Sequence, residues 1–568
     1  MDAAFDADLA QAVAAHQAGR LPAAAAAYEA LLRRWPDHAG VIQLLGVARQ
    51  GMGDMAAAEA LILRAIALSD QALFRGNLGF LYHQWGKAEL AEAAYRAALA
   101  MEPDAAPFVR NLACLMRDLT RNDEALAGFE RLCELLPDDA NAQTDRGLML
   151  ERLGRYGEAE AAYRRALELD PASLAAAINL GSLLVHEVRN VEAEAVFRGA
   201  VTAAPGSVEA LCNLGLSLFN QARLAEAEPL YRQALEIRPG DAKTSLNLGL
   251  LLLHQRRFAE AWPYFEARHL VMGTVWTPRA SPGCVLWRGE DLKGRAILVY
   301  GEQGFGDQIQ FLRFAQALHA AGAGQVIVVV APELVSLVQG VAGIDAVLSH
   351  AEPGPVEADV WAPMMSLPGL MGLTPETIAR FAPPVWPQFK VTAKRRIRDL
   401  GAPYEVGIFW AGRAWAERGD LRRVDSLRSL DFDEARALMA HPALRESFRW
   451  TILQRDRRPE GLHALAKARG WRDPFGDRDP PKDFADVARL MARLDLVIGV
   501  DSAFIHLAAA MARPTWMMDR AFHCWRWVGE GESTPWYPTL RIFRQRQEGA
   551  WGPVTDQIAA RLVARGPH

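Results

Sequence analysis

The sequence predicts an α-solenoid followed by an α/β region built of two Rossmann-like halves. Three observations carry that expectation. Pro103, Pro137, Pro171, Pro205 and Pro239 lie 34 residues apart. A polar residue keeps the same step at Asn77, Asn111, Asp145, Asn179, Asn213 and Asn247, and Gly79, Ala113, Gly147, Gly181, Gly215 and Gly249 follow two residues later. After Arg268 this rhythm stops, and short apolar runs begin to alternate with helical patterns. Alternation of that kind argues for a parallel sheet with helices on both faces.

A 34-residue period punctuated by Gly and Pro is the signature of tetratricopeptide repeats, with two antiparallel helices per unit. Counted back from Pro103, the pattern persists through Leu45-Gly46 and Pro36 with one residue deleted, and the first helix pair spans roughly Leu9 to Arg34. About seven repeats result, with a partial one from Phe258 to Arg268, so the solenoid occupies residues 1–270. Ala94, Ala98, Ala162, Ala166 and Ala234 are small where helices must approach closely, and Tyr28, Tyr95, Phe129, Tyr163, Phe197, Tyr231 and Phe265 are packing positions. Each unit buries its apolar face only against its neighbours. The polar column is less expected, because helix interiors rarely need it. An amide offers both a donor and an acceptor, so a ladder of them suits the backbone of an extended peptide. Capping, or bridging to the next repeat, is the structural alternative.

A linker containing Pro and Gly, residues 271–294, leads into the second region. Ala296–Tyr300 reads as a buried strand, Asp307–Ala321 as a helix, Val326–Val330 as a second strand, and a helix starts at Pro332. The first Rossmann-like half therefore covers residues 295–385 and ends in the Pro-rich stretch Pro383 to Pro387. The alternation restarts at Val406–Trp410 and continues through strand candidates Trp450–Leu453, Leu496–Gly499 and Thr515–Met518, making residues 386–568 the second half. Two such halves facing each other hold a ligand between them.

Composition narrows the function classes. The 568 residues are 51% hydrophobic with a formal net charge of −5, which does not suggest a nucleic-acid partner. Met1-Asp2-Ala3-Ala4 has no basic n-region or apolar h-region, and the apolar stretch Gln325–Leu348 is broken by Pro332, Glu333 and Asp345, so neither a secretion signal nor a membrane span is expected. Five scattered cysteines, with no CxxC or Cys/His cluster, read as buried thiols of a cytoplasmic protein with no zinc site.

Three loops could carry chemistry. Gly301-Glu302-Gln303-Gly304-Phe305-Gly306-Asp307 ends the first strand and opens a helix. Its glycines allow a tight turn and close approach to a ligand, yet it is neither a dinucleotide fingerprint nor a Walker loop. Asp307 is either a helix cap or a general base facing the crevice. Val497 to His506 ends a strand at Asp501-Ser502 and opens a helix, whose free N–H groups suit a phosphate. His506 is either a phosphate contact or a core histidine. Phe409-Trp410-Ala411-Gly412-Arg413, with the basic run Arg418 to Arg428, offers guanidinium forks for phosphate or is simply a solvated loop. Cys524-Trp525-Arg526-Trp527 and Pro535-Trp536-Tyr537-Pro538 concentrate aromatics that either stack on a base or sugar or close the domain.

Taken together, these loops and the Trp-Arg-Trp…Pro-Trp-Tyr-Pro tail resemble the bacterial tetratricopeptide-repeat glycosyltransferases, whose catalytic half is similar to the heptosyltransferases and has a GT-B fold. The Asn-Leu-Gly columns at Asn77, Asn179, Asn213 and Asn247 also resemble those lining the repeat groove of O-GlcNAc transferases. The resemblance implies Asp307 as catalytic base. It implies donor contacts from Gln303, Gly304, Gly306, Trp410, Gly412, Arg413, Gln454, Asp501, Ser502, Ala503, His506 and Trp527, with Ala503 standing where the family has Gly. It implies acceptor contacts from Asn77, Asn111, Asp145, Asn179, Asn213 and Asn247. The expected reaction is metal-independent transfer of a sugar from a nucleotide-activated co-substrate to Ser or Thr of a protein, with no bound cofactor. Some relatives act on flagellin with a nonulosonic acid donor. A non-catalytic repeat scaffold or sugar-nucleotide sensor, and a transferase acting on lipopolysaccharide, are the competing readings.

Overall fold

The computed structural model describes residues 3–271, 283–384 apart from 353, 403–412, 427–444, 447–527 and 531–565, together with Trp386 and Phe389. Among them, eight helix pairs run from Ala3–Gln17 with Leu21–Arg34 to Ala242–His254 with Phe258–Phe265. The punctuation seen in the sequence has a local cause. Two residues past Pro137, Pro171, Pro205 and Pro239 stand Asp139, Ser173, Ser207 and Asp241. Each side chain accepts the N–H three residues on, from Ala142, Ala176, Ala210 and Thr244, at 3.1, 3.4, 3.2 and 2.9 Å. Each such cap is worth about 1 kcal/mol. The glycine after the polar column is where the second helix presses its ring. A Cβ on Gly79, Gly147, Gly181 or Gly215 would lie 2.4–2.6 Å from Tyr95, Tyr163, Phe197 or Tyr231. Glycine and aromatic thus lock the two helices of one repeat.

The chain forms two compact units, Met1–Leu184 with Ala195–Pro205, and Val185–Glu194 with Gly206–His568. The second unit holds the last helix pairs and two parallel five-stranded sheets. The first sheet comprises β1 (Val285–Leu286), β2 (Ala296–Tyr300), β3 (Gln325–Val330), β4 (Ala346–Ser349) and β5 (Val360–Pro363), in the order β1-β5-β2-β3-β4. The second comprises β6 (Tyr404–Ile408), β7 (Phe448–Ile452), β8 (Leu496–Val500), β9 (Thr515–Asp519) and β10 (Leu540–Arg544), in the order β10-β9-β8-β6-β7. β1 lies inside the stretch read from sequence as linker. The helix expected over Asp307–Ala321 instead runs Phe305–Gln316 and ends in a tight turn at Leu318–Ala321, because Gly322 leaves in a left-handed conformation at φ 89°. With a solenoid over about 270 residues and two parallel α/β sheets, the fold has the layout of a repeat superhelix joined to a GT-B region.

Among the contacts that join the last repeat to the sheets, two involve polar groups at the site loops. His254 and Phe219 enclose Phe522, with ring centroids 5.5 and 5.1 Å away, and His254 Nε2 lies 3.0 Å from the carbonyl of His523. The second contact is buried and charged. Arg268, 1% exposed, donates to Glu302 Oε1 and Ser366 Oγ, both at 2.7 Å, and Met365 N–H donates to the same Glu302 oxygen at 3.0 Å. Glu302 belongs to the Gly-rich loop, so that loop is anchored to the repeat side. Arg268 also donates to Glu266 Oε1 at 2.7 Å, so loss of Glu302 leaves it one carboxylate. Glu302→Ala is expected to destabilise the second unit by about 1–3 kcal/mol, read as a lowered denaturant midpoint in equilibrium unfolding.

Candidate functional site

In the second sheet, β6 and β8 are neighbours and the strand order reverses between them. A ligand of a doubly wound sheet binds outside the carboxyl ends of the strands at such a switch point. The loops leaving that edge are Phe409–Gly412 after β6, Gln454 after β7 and Asp501-Ser502 after β8. Trp410, Gly412, Gln454, Asp501 and Ser502, which the family resemblance singles out, thus lie at the carboxyl ends of neighbouring strands.

Gln454 shapes this edge from within. It is 1% exposed, and its Oε1 accepts the N–H groups of Trp410 at 2.9 Å and Ala411 at 3.0 Å, while Nε2 donates to the Ala411 carbonyl at 3.1 Å. Its amide is spent on the loop backbone. Trp410 is buried against Phe432. At Gly412 an added Cβ would lie 2.9 Å from the Arg428 guanidinium. Arg413 and most of the basic run, residues 413–426, lie outside the described residues.

The other wall comes from the first sheet. Gly304 caps the helix Phe305–Gln316, and Gln303 before it takes a left-handed backbone at φ 60°. Such a conformation in a residue with a side chain costs energy and clusters at functional loops. Gly306 has a specific reason to be glycine. A Cβ there would lie 2.8 Å from His506 Cδ2 and 3.3 Å from Ala503 Cα. The start of one lobe's helix therefore rests on the start of the other's, Ala503–Ala510. The departure at Ala503 is accommodated because the partner position is Gly306.

This approach places Asp307 in the seam. Its Oδ2 accepts the Gly304 N–H at 3.2 Å, and its Oδ1 accepts from Arg526 Nη2 of the second lobe. The cap and the crevice-facing carboxylate, alternatives in the sequence, are both present. Asp307 keeps 22% of its side-chain exposure and Asp501 28%, so solvent reaches both. Ser502 stands at the helix start with its side chain making no cap bond.

His506 is a core residue. Its Nδ1 lies 3.0 Å from the Tyr537 hydroxyl and its Nε2 3.8 Å from Asp501 Oδ1. Burial, reinforced by Arg526 and Arg313 against the opposing pull of Asp307, pushes its pKa down to about 3. It contributes a neutral ring at neutral pH. Trp527 packs on it with centroids 5.2 Å apart and is 1% exposed. Trp525, Trp536 and Tyr537 are equally buried, so the aromatic tail closes the domain. Arg526 and Arg313 were not named from the sequence as site residues. The Trp-Arg-Trp motif was visible, but only its rings drew attention.

The polar column divides. Each member is the sixth residue of its helix, from Ala72–Gln84 to Ala242–His254. Asp145 lies 3.5 Å from Arg117, Asn213 Oδ1 accepts from Lys243 at 2.9 Å, and Asn247 Nδ2 donates to Cys212 Sγ at 3.4 Å. Asn77, Asn111 and Asn179 are half-buried and make no side-chain hydrogen bond among the described residues. A cavity of about 740 Å³ opens at the carboxyl ends of β2 and β5, walled by Trp262, Trp287, Tyr300 and Trp361 with Glu302. None of the base, donor or acceptor residues expected from the sequence lines it, though Glu302 of the Gly-rich loop does.

Comparison with known proteins agrees with this division of the chain. Two family models described as "Tetratricopeptide repeat" match residues 2–39, 110–173, 145–208 and 212–270, and residues 74–105. The first half is a tetratricopeptide-repeat solenoid. A model described as "Glycosyltransferase family 9 (heptosyltransferase)" matches residues 479–516, which contain β8 and the Asp501–His506 loop. The chain is 27% identical over 307 residues to Protein FlbA of Caulobacter vibrioides, covering 50% of this chain and 49% of that protein. It thus spans about half the length of this curated relative. Solved structures similar to it include YrrB, described as a TPR protein with an unusual peptide-binding site, at 22% identity and TM-score 0.29, covering 32% of this chain and 95% of that one. A tetratricopeptide repeat protein from Parabacteroides merdae matches at 17% identity and TM-score 0.35, covering 44% and 98%. Among the described residues no helix is long and apolar enough to cross a membrane.

Buried neutral histidines predict the acid side of the stability curve. Burial lowers the His254 pKa, and burial with the nearby Arg544 pushes His523 down to about 4. The unfolded chain takes up these protons below about pH 6.5, and the folded chain does not. Stability is therefore full above that value and lost as pH falls toward 4, with a slope of up to about 1.4 kcal/mol per pH unit for each histidine. Urea unfolding at pH 7 and pH 5 measures this, and His523→Gln is expected to make the slope shallower.

Proposed function

We propose that this protein is a glycosyltransferase that moves a sugar from a nucleotide-activated donor to a Ser or Thr hydroxyl of a polypeptide. The observation that carries the reading is the seam itself. A carboxylate at the start of the helix after β2 faces, across the gap between two α/β lobes, the helix start at the second lobe's switch point. The similarity to glycosyltransferase family 9 falls on that second helix start.

The donor lies on the edge formed by Phe409–Gly412 and Asp501-Ser502. Asp307 takes the proton of the acceptor hydroxyl as the oxygen attacks the anomeric carbon, and the bond to the phosphate oxygen breaks. The charge left on the phosphate is met by the helix start and by guanidinium groups, so the reading calls for no metal ion. The acceptor is held through its main chain by the repeats, with Asn77, Asn111 and Asn179 supplying amides that make no side-chain hydrogen bond among the described residues. Flagellin, with a nonulosonic acid as the sugar, is the acceptor that the family resemblance favours.

Two variants test this. Asp307→Asn should lower the transfer rate by on the order of 10²–10⁴ in an intact-mass assay with acceptor protein and donor, run at a temperature where circular dichroism shows the variant folded. A near-normal rate removes Asp307 from the chemistry. Asn77, Asn111 and Asn179 all replaced by Ala should weaken use of the protein acceptor while leaving donor hydrolysis intact. Equal loss of both would make the column structural.

A further inference from the structure

Arg526 is more deeply built in than a surface ion pair requires. Its side chain retains 11% exposure, and its guanidinium lies 4.7 Å from the Trp525 ring and 5.6 Å from the Phe311 ring. Nη1 donates to Cys524 Sγ at 3.1 Å, Nη2 donates to Asp307, and Nε is buried with no partner. Burial works against its charge, but the nearby Asp307, Cys524 and Asp501 more than offset this, so it stays a cation. The helix that carries Asp307 adds two further groups at turn spacing. Gln310 is fully buried, and neither end of its amide has a partner. Arg313, 2% exposed, donates to the carbonyls of Gln310, Phe381 and Trp536. No carboxylate pairs with it among the described residues, and its Nη2 is unsatisfied. Gln310 lies one turn from each of Asp307 and Arg313, and Asp307 and Arg313 both bond to the second lobe. Gln310 Nε2 and Arg526 Nε, buried donors with no partner, lie near an Arg313 guanidinium that rests on carbonyls and Tyr537 and meets no carboxylate among the described residues; together they mark a place where an anion would be welcome.

We propose that the Asp307–Arg526 pair is a placeholder, and that an incoming phosphate takes Arg526 from Asp307. Arg526 is then the residue that meets the leaving phosphate of the donor, and the exchange frees the carboxylate for the acceptor. In the pair, each Asp307 oxygen already holds a donor, Arg526 on one and the Gly304 N–H on the other. Donor binding therefore precedes base action. The exchange is non-covalent, with one anion replacing another on the same guanidinium. The proposal rests on the reading of the seam as a nucleotide-sugar site only for the identity of the anion.

The test is calorimetric titration of the full chain with inorganic pyrophosphate at fixed ionic strength, without sugar or acceptor. Asp307→Asn removes the competing carboxylate and should tighten pyrophosphate binding several-fold. Arg526→Gln should weaken it at least about tenfold, with Arg526→Lys in between. If Arg526→Gln does not fold, the opposite shifts of Asp307→Asn and Arg526→Lys decide the matter. Equal or weaker binding by Asp307→Asn, wild-type affinity in both Arg526 variants, or no binding by any form overturns the proposal. Because no transfer is measured, failure here is distinct from failure of the enzymatic reading. In a transfer assay Arg526→Lys should raise KM for the donor more than it lowers kcat, a split that a purely structural arginine would not produce.

Discussion

One close approach organises the α/β region. At Gly306 the helix that follows β2 lies against His506 and Ala503 of the helix that follows β8, with no side chain of its own in between. Any larger residue would press on that second helix beside Asp307. The approach also sets the electrostatics. Removing water from the seam strengthens every interaction across it, and each charge left there must find a partner. Asp307 finds Arg526, His506 stays neutral beside Tyr537, and Arg313 leans on three carbonyls.

The turn Trp525–Trp527 is the joint of the second unit. Its three successive side chains reach three different elements. Trp525 packs among Phe258, Trp262 and Phe265 of the last repeat, Arg526 pairs with Asp307, and Trp527 covers His506. Aromatic packing of this kind is worth about 0.5–1.5 kcal/mol per pair beyond the area buried. The repeat helix, the Asp307 carboxylate and the helix that carries His506 are therefore held by one short segment. Glu302 adds a second tie, since it carries the Gly-rich loop to Arg268.

The polar column shows that a regular pattern need not serve a single purpose. All six members occupy one helix position, yet Asp145, Asn213 and Asn247 bridge to neighbouring side chains and Asn77, Asn111 and Asn179 do not. The identity of the bridging partner (Arg117, Lys243 or Cys212) decides the difference, and it varies from repeat to repeat.

Much of the fold was legible because it is local. The Gly and Pro punctuation of the repeats, their aromatic packing positions, and the buried strands β2, β3, β6, β7, β8 and β9 arise from residues close in the chain or from uninterrupted apolar runs. Strands β1, β4, β5 and β10 escaped notice, being two to five residues long and either partly exposed or broken by proline or arginine. The sequence by itself determined the repeat length, the two sheets and the loops that could act. Only the tertiary structure decided that Asp307 meets Arg526, 219 residues away, that His506 is sealed in the core, and that Gln454 is spent on a backbone turn. Local patterns record what a residue does to its own helix or strand. A buried ion pair depends on which surfaces meet, and no periodicity in the chain encodes that meeting.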